Sequence, residues 1–78
     1  APWKTPDGEL LLFTRWIDED PARSGVYASR SGAGGWGAPV RLPLPYGWGA
    51  QLSADGEDLV YVVEGDVCSV PVALLELP

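Results

Sequence analysis

The residues best equipped for chemistry fall in one segment, "WIDEDPARSG" (residues 16–25). Asp18, Glu19 and Asp20 offer the oxygen ligands that Ca²⁺ takes, but three consecutive acids lack the spaced Asp-x-Asp-x-Asp arrangement of a calcium loop. A solvated acidic tip is the expectation, with Trp16, Asp18 and Asp20 placed to touch a partner. The chain contains no His, which removes the Ser-His and Cys-His nucleophile pairs. Its one cysteine, Cys68, sits between Val67 and Ser69 with no neighbouring cation to depress its pKa, and reads as core packing. Glu57 with Asp58 and Glu64 with Asp66 are adjacent turn carboxylates and read as solvated, not as an acid–base pair. No catalytic residue, cofactor or metal ligand is expected, and the chain is read as non-enzymatic.

The four tryptophans are the other distinctive groups. Trp36 and Trp48 each stand inside a Gly-Trp-Gly triplet, and Trp16 opens the acidic segment. Aromatic rings on Gly-flanked loops can stack on sugar rings or anchor a protein partner, so Trp16, Trp36 and Trp48 are candidate contacts. A wedge between packed elements is the expectation preferred for Trp36 and Trp48, and Trp3 is expected to pack between sheets.

Composition narrows the field. An apolar fraction of 46% excludes disorder despite ten Gly and eight Pro. A net charge of −6, with Lys4, Arg15, Arg23, Arg30 and Arg41 scattered, argues against nucleic acid and anionic membrane surfaces. No apolar run approaches the roughly 18 residues of a membrane-spanning helix. A lone thiol is compatible with either redox compartment. The chain opens Ala1-Pro2-Trp3 without an initiating Met, so a processed or excised piece is expected.

The elements that must position these residues are strands. Helical periodicity is poor, while short apolar runs punctuated by Gly, Pro and Asp are dense. Strands are expected at Pro2–Thr5, Glu9–Arg15, Gly25–Ser29 and Val40–Leu42. A second set follows at Ala50–Ser53, Asp58–Val63, Asp66–Val70 and Val72–Leu77. The two sets share an order and a pattern: "TPDGELLLF" recurs as "SADGEDLVY" at an offset of 48. After the loop Arg15–Ser24 the offset falls to 41, where Gly25-Val26-Tyr27 faces Asp66-Val67-Cys68. Asp7-Gly8 and Asp55-Gly56 close tight turns, the Asp bonding its own following backbone and the Gly accepting positive φ. Leu10–Phe13 and Leu59–Val63 are apolar at every position, whereas a half-solvated sheet alternates. Four-stranded antiparallel units buried on both faces and repeating about every 40–45 residues indicate β-propeller blades. The expected fold is all-β, with one blade over residues 1–45 and another over 46–78.

"TPDGELLLFTR…SGVYASR…GGWGAPVRL" and "SADGEDLVYVVEGDVCSVPV" resemble the WD40-like, TolB-type propeller repeat. Ala54 stands where that repeat usually has Pro, and Cys68 where Tyr is usual. The resemblance implies a periplasmic or secreted bacterial protein, and related blades also occur beside prolyl-oligopeptidase-type catalytic domains. A propeller needs roughly four to eight blades. The chain is therefore expected to close a head-to-tail ring of three or four copies of itself, or to lack blades supplied by a parent chain. The expected function is a scaffold or binding module contacting a protein or small ligand through loops on one propeller face. A sugar-binding oligomeric propeller and a fragment of a hydrolase's propeller are the alternatives.

Overall fold

A computed structural model describes residues 2–78, which form two antiparallel sheets. The first contains β1 (Trp3–Lys4), β2 (Leu10–Arg15), β3 (Gly25–Gly32), β4 (Gly35–Trp36) and β5 (Val40–Arg41). The second contains β6 (Trp48–Leu52), β7 (Asp58–Val63) and β8 (Asp66–Pro71). In the first sheet β4 and β5 share the outer edge of β3, β4 at Ser31 and Gly32 and β5 at Tyr27 and Ala28. The fourth strand expected at Val40–Leu42 is thus β5, one residue shorter, and β4 at Gly35–Trp36 is an additional strand not expected from sequence.

The second sheet has three strands, so the fourth strand expected over Val72–Leu77 is absent. Pro71 ends β8, and Val72–Leu74 turn in a 3₁₀ helix closed by Leu75 N–H to the Val72 carbonyl at 2.9 Å. The turn delivers Leu75 to the core at 2% exposure. An extended strand would have left that side chain at the sheet edge, so burial of Leu75 wins over continued pairing.

The two sheets share one register. Trp3 pairs Leu12 and Lys4 pairs Leu11; at an offset of 48, Gln51 pairs Val60 and Leu52 pairs Leu59. Between β2 and β3, Phe13 meets Tyr27; 48 residues beyond the first and 41 beyond the second, Tyr61 meets Cys68. All six β2–β3 pairs recur in this way between β7 and β8. The faces that are buried do not recur. Leu10 and Leu12 are buried in β2, yet their counterparts Asp58 and Val60 are only half-buried; Leu59 and Tyr61 are buried, and their counterparts are the half-buried Leu11 and Phe13. Because side chains alternate between faces, one sheet buries the face that the other leaves open. Equal registers with opposite buried faces define a head-to-tail stack.

The core between the sheets joins Leu10, Leu12, Val26 and Ala28 to Ala50, Leu59 and Tyr61, closed at its margins by Leu42, Leu44 and Leu75. Trp3 and Cys68 pack against it partly buried. Burial pushes the Tyr61 phenol above its ordinary value of 10.0, with a smaller contribution from Cys68.

The Asp-Gly turns are built alike. Thr5 Oγ1 donates to Asp7 Oδ1 (2.5 Å), which also accepts from Glu9 N–H (2.9 Å), while Thr5 Oγ1 accepts from Leu10 N–H (3.1 Å). Ser53, Asp55, Glu57 and Asp58 repeat these bonds at 2.6, 2.9 and 3.1 Å. Gly8 and Gly56 both stand at φ +74°, where a Cβ would be strained. The bonds from Thr5 and Ser53, and then from the Glu9 and Glu57 amides, hold the Asp7 and Asp55 carboxyls below their ordinary value of 3.8.

Two outcomes follow. Leu12, with no exposed surface, should cost about 2–5 kcal/mol on change to Ala, read from denaturant midpoints. A folded pKa below the unfolded value means the turns' stabilisation is complete above pH 3.8 and is lost as pH falls through the folded pKa. The Asp7→Asn, Asp55→Asn double variant should therefore show a flatter decline of thermal midpoint below about pH 4.

Candidate functional site

The strands give the molecule two ends. One carries the Asp-Gly turns and the β3–β4 hairpin; the other carries the β2–β3 loop, the linker into β6 and the Glu64-Gly65 turn. The aromatic residues of this second end meet. Trp16 and Tyr46 contact edge-to-face with ring centroids 5.1 Å apart, and Tyr46 lies 6.4 Å from Trp48 with planes tilted by 57°. All three are exposed, at 55%, 38% and 48% respectively.

Each ring is held by its backbone. Trp16 leaves β2 at the neck of a loop closed by Ser24, whose buried Oγ accepts from Ile17 N–H at 2.7 Å and donates to the Ile17 carbonyl at 3.3 Å. Arg41 Nε clamps the Ser24 carbonyl at 3.0 Å. Within the loop Pro21–Arg23 form a 3₁₀ turn. Trp48 opens β6, where a register shift between Trp48 and Gln51 marks a bulge with Gly49 at φ +69°. A bulge re-aims the side chain beside it, which accounts for an exposed ring two residues from the buried Ala50, whose face an unbroken strand would share. Between Tyr46 and Trp48, Gly47 is buried; a Cβ there would lie 2.4 Å from the Val62 carbonyl oxygen and 2.7 Å from the Tyr61 ring. Its own carbonyl accepts from Thr14 Oγ1 at 2.7 Å, tying the linker of the second sheet to β2 of the first.

Beside Trp48 opens a groove of about 400 Å³ lined by Pro2, Leu11, Phe13, Thr14, Gly49 and Ala50 as well as the indole. Further along the same sheet face, Phe13 stacks on Tyr27 at 5.8 Å, and the Arg15 guanidinium lies over Tyr27 at 4.5 Å.

Of the residues singled out by sequence, the structure gathers Trp16, Asp18 and Trp48. The Trp16 indole N–H donates to Asp18 Oδ1, setting a carboxylate at the edge of the ring cluster. Asp20 turns to Arg23, with a loose 3.9 Å ion pair and its carbonyl accepting Arg23 N–H. Trp36 lies apart: it pairs with Ser31, six residues along β3 from the Gly25 that faces Arg15, about 20 Å away at the rise of a strand. The wedge expected of Trp36 and Trp48 is not seen, since both rings are about half exposed. The close-packed position in the second triplet belongs to Gly47. Sequence reasoning also missed Tyr46 and Thr14; the adjacency "YGWG" was the available signal for Tyr46. Among the described residues, no group of three or more His, Cys, Asp or Glu is arranged to hold a metal ion.

Gly47→Ala should destabilise the fold by about 1–3 kcal/mol and alter the near-ultraviolet dichroism of the Trp cluster, because backbone and ring cannot both yield to the added methyl. Gly34→Ala, where a Cβ meets nothing within 4 Å, is the matched control. No family model, curated protein or solved structure matches this chain.

Proposed function

We propose that the chain is a non-enzymatic binding module built as two consecutive β-propeller blades of the WD40-like, TolB-type kind. Its ligand is contacted through the end that carries Trp16, Tyr46 and Trp48. The observation that supports the blade reading is the head-to-tail stack: equal registers with opposite buried faces. Such a contact uses two different surfaces, so it leaves one of each unsatisfied and continues until a ring closes.

The unsatisfied surfaces have the required character. Leu11 and Phe13 remain half-buried on the open face of the first sheet. Val60 and Val62 are half-buried on the open face of the second, with Val67 beside them at 73% exposure. These faces are counterparts of the two already joined in the core, so one chain can add to the next by the same contact. Three or four copies would give six or eight blades; blades of a parent chain would satisfy the same surfaces.

The exposed rings support the binding role. Aromatic side chains left in solvent on a rigid scaffold supply contact area at small conformational cost. A sugar-binding propeller is the second reading, supported by the exposed indole faces of Trp16 and Trp48, which suit stacking on a pyranose.

Light scattering of the purified chain should give three or four times the monomer mass. Val67→Lys, placing a charge on an open face, should shift that mass toward the monomer while strand dichroism is retained. A monodisperse, cooperatively unfolding monomer of the unaltered chain would count against the blade reading in both its forms.

A further inference from the structure

We propose that the Trp16–Tyr46–Trp48 face takes an arginine side chain of a partner polypeptide. The inference rests on the binding role proposed above and names the chemistry of the partner.

Two observations carry it. First, the rings are tilted against one another at 68° and 57°, so none is stacked face to face within the cluster. Ring faces are the surfaces that attract cations, through the quadrupole of the π-system. The same molecule already makes this interaction internally: the Arg15 guanidinium lies 4.5 Å from the Tyr27 centroid and 5.7 Å from that of Phe13.

Second, the charge around the cluster selects a cation. This end carries Asp18, Glu19, Asp20, Glu64 and Asp66. Of its arginines, Arg15 lies on Tyr27 and Arg41 on the Ser24 carbonyl, while the exposed Arg23 is loosely paired with Asp20. Asp18 has two carboxylate oxygens, and the Trp16 indole uses Oδ1. A guanidinium over the indole would meet a fixed carboxylate at the ring's rim, the combination of stacking and charge-assisted bonding that arginine provides and lysine does not. The chain's net charge of −6 attracts the same partner at longer range. A carboxylate also accepts from a sugar hydroxyl, but only a cation gains in addition from its charge.

The test is titration of the full chain with an acetylated, amidated Gly-Arg-Gly peptide bearing a fluorophore, read by anisotropy. The comparison is the same peptide with citrulline, arginine's uncharged near-isostere. The arginine peptide should bind at least about tenfold more tightly, and its advantage should shrink as salt rises to about 0.5 M. Trp16→Ala and Trp48→Ala should each weaken binding about tenfold, and Asp18→Asn, which keeps an acceptor for the indole, should weaken it several-fold. Trp36→Ala should leave it unchanged. Equal binding of the citrulline peptide, or equal displacement of the probe by a neutral oligosaccharide, with both Trp variants still impaired, would overturn the cationic partner while sparing the aromatic site. Peptide binding indifferent to both Trp variants, or none at millimolar peptide, would overturn the proposal, and indifference to the Trp variants would sink the site reading with it.

Discussion

Everything in this chain depends on which face of each sheet is buried. Two sheets with the same cross-strand pairing are pressed together so that Leu10 and Leu12 of one meet Leu59 and Tyr61 of the other. Had the contact been face to like face, the pair would have been self-satisfying. Because unlike faces meet, Leu11 and Phe13 at one side and Val60 and Val62 at the other are left only half-covered. Apolar burial is the dominant favourable term in folding, so these open faces are the strongest remaining demand the molecule makes on its surroundings.

The same stacking creates the candidate site. To pass from the first sheet to the second the chain must run beneath Tyr61 and beside Thr14, in a space that admits no side chain at Gly47. With Gly47 pinned, Tyr46 and Trp48 stand on either side of it, and the bulge at Gly49 points the second indole away from the core. Trp16 reaches them because β2 ends at the same margin and Ser24 closes the neck of its loop. The cluster is therefore fixed by core contacts and not by the flexibility of its own loops.

Much of the local structure was legible in advance, for identifiable reasons. Each Asp-Gly turn is a short-range object, complete within a handful of residues, and its hydrogen bonds involve partners two to five positions apart. Strands β2 and β7 declared themselves through continuous apolar runs. The misreadings all concern distant partners. Val72–Leu77 has the composition of a strand, yet Leu75 is claimed by a core that local pattern does not reveal. Trp36 and Trp48 look identical within their Gly-Trp-Gly triplets, yet they lie at opposite ends of the molecule. Tyr46 looked like linker and proved to be the centre of the aromatic cluster.

Sequence alone determined the all-β character, the turn chemistry and the strand order, because these follow from backbone preference and short-range hydrogen bonding. It also announced, through strands apolar on both sides, that each sheet would seek cover on two faces. Tertiary structure alone decided which face was covered, which tryptophans met Tyr46, and that Gly47, with no side chain to attract notice, had to be glycine. Those outcomes depend on atoms brought within a few ångströms from residues 14 to 33 positions apart, as Val62 and Tyr61 meet Gly47 and Thr14 bonds to it. No pattern confined to neighbouring residues encodes a contact of that kind.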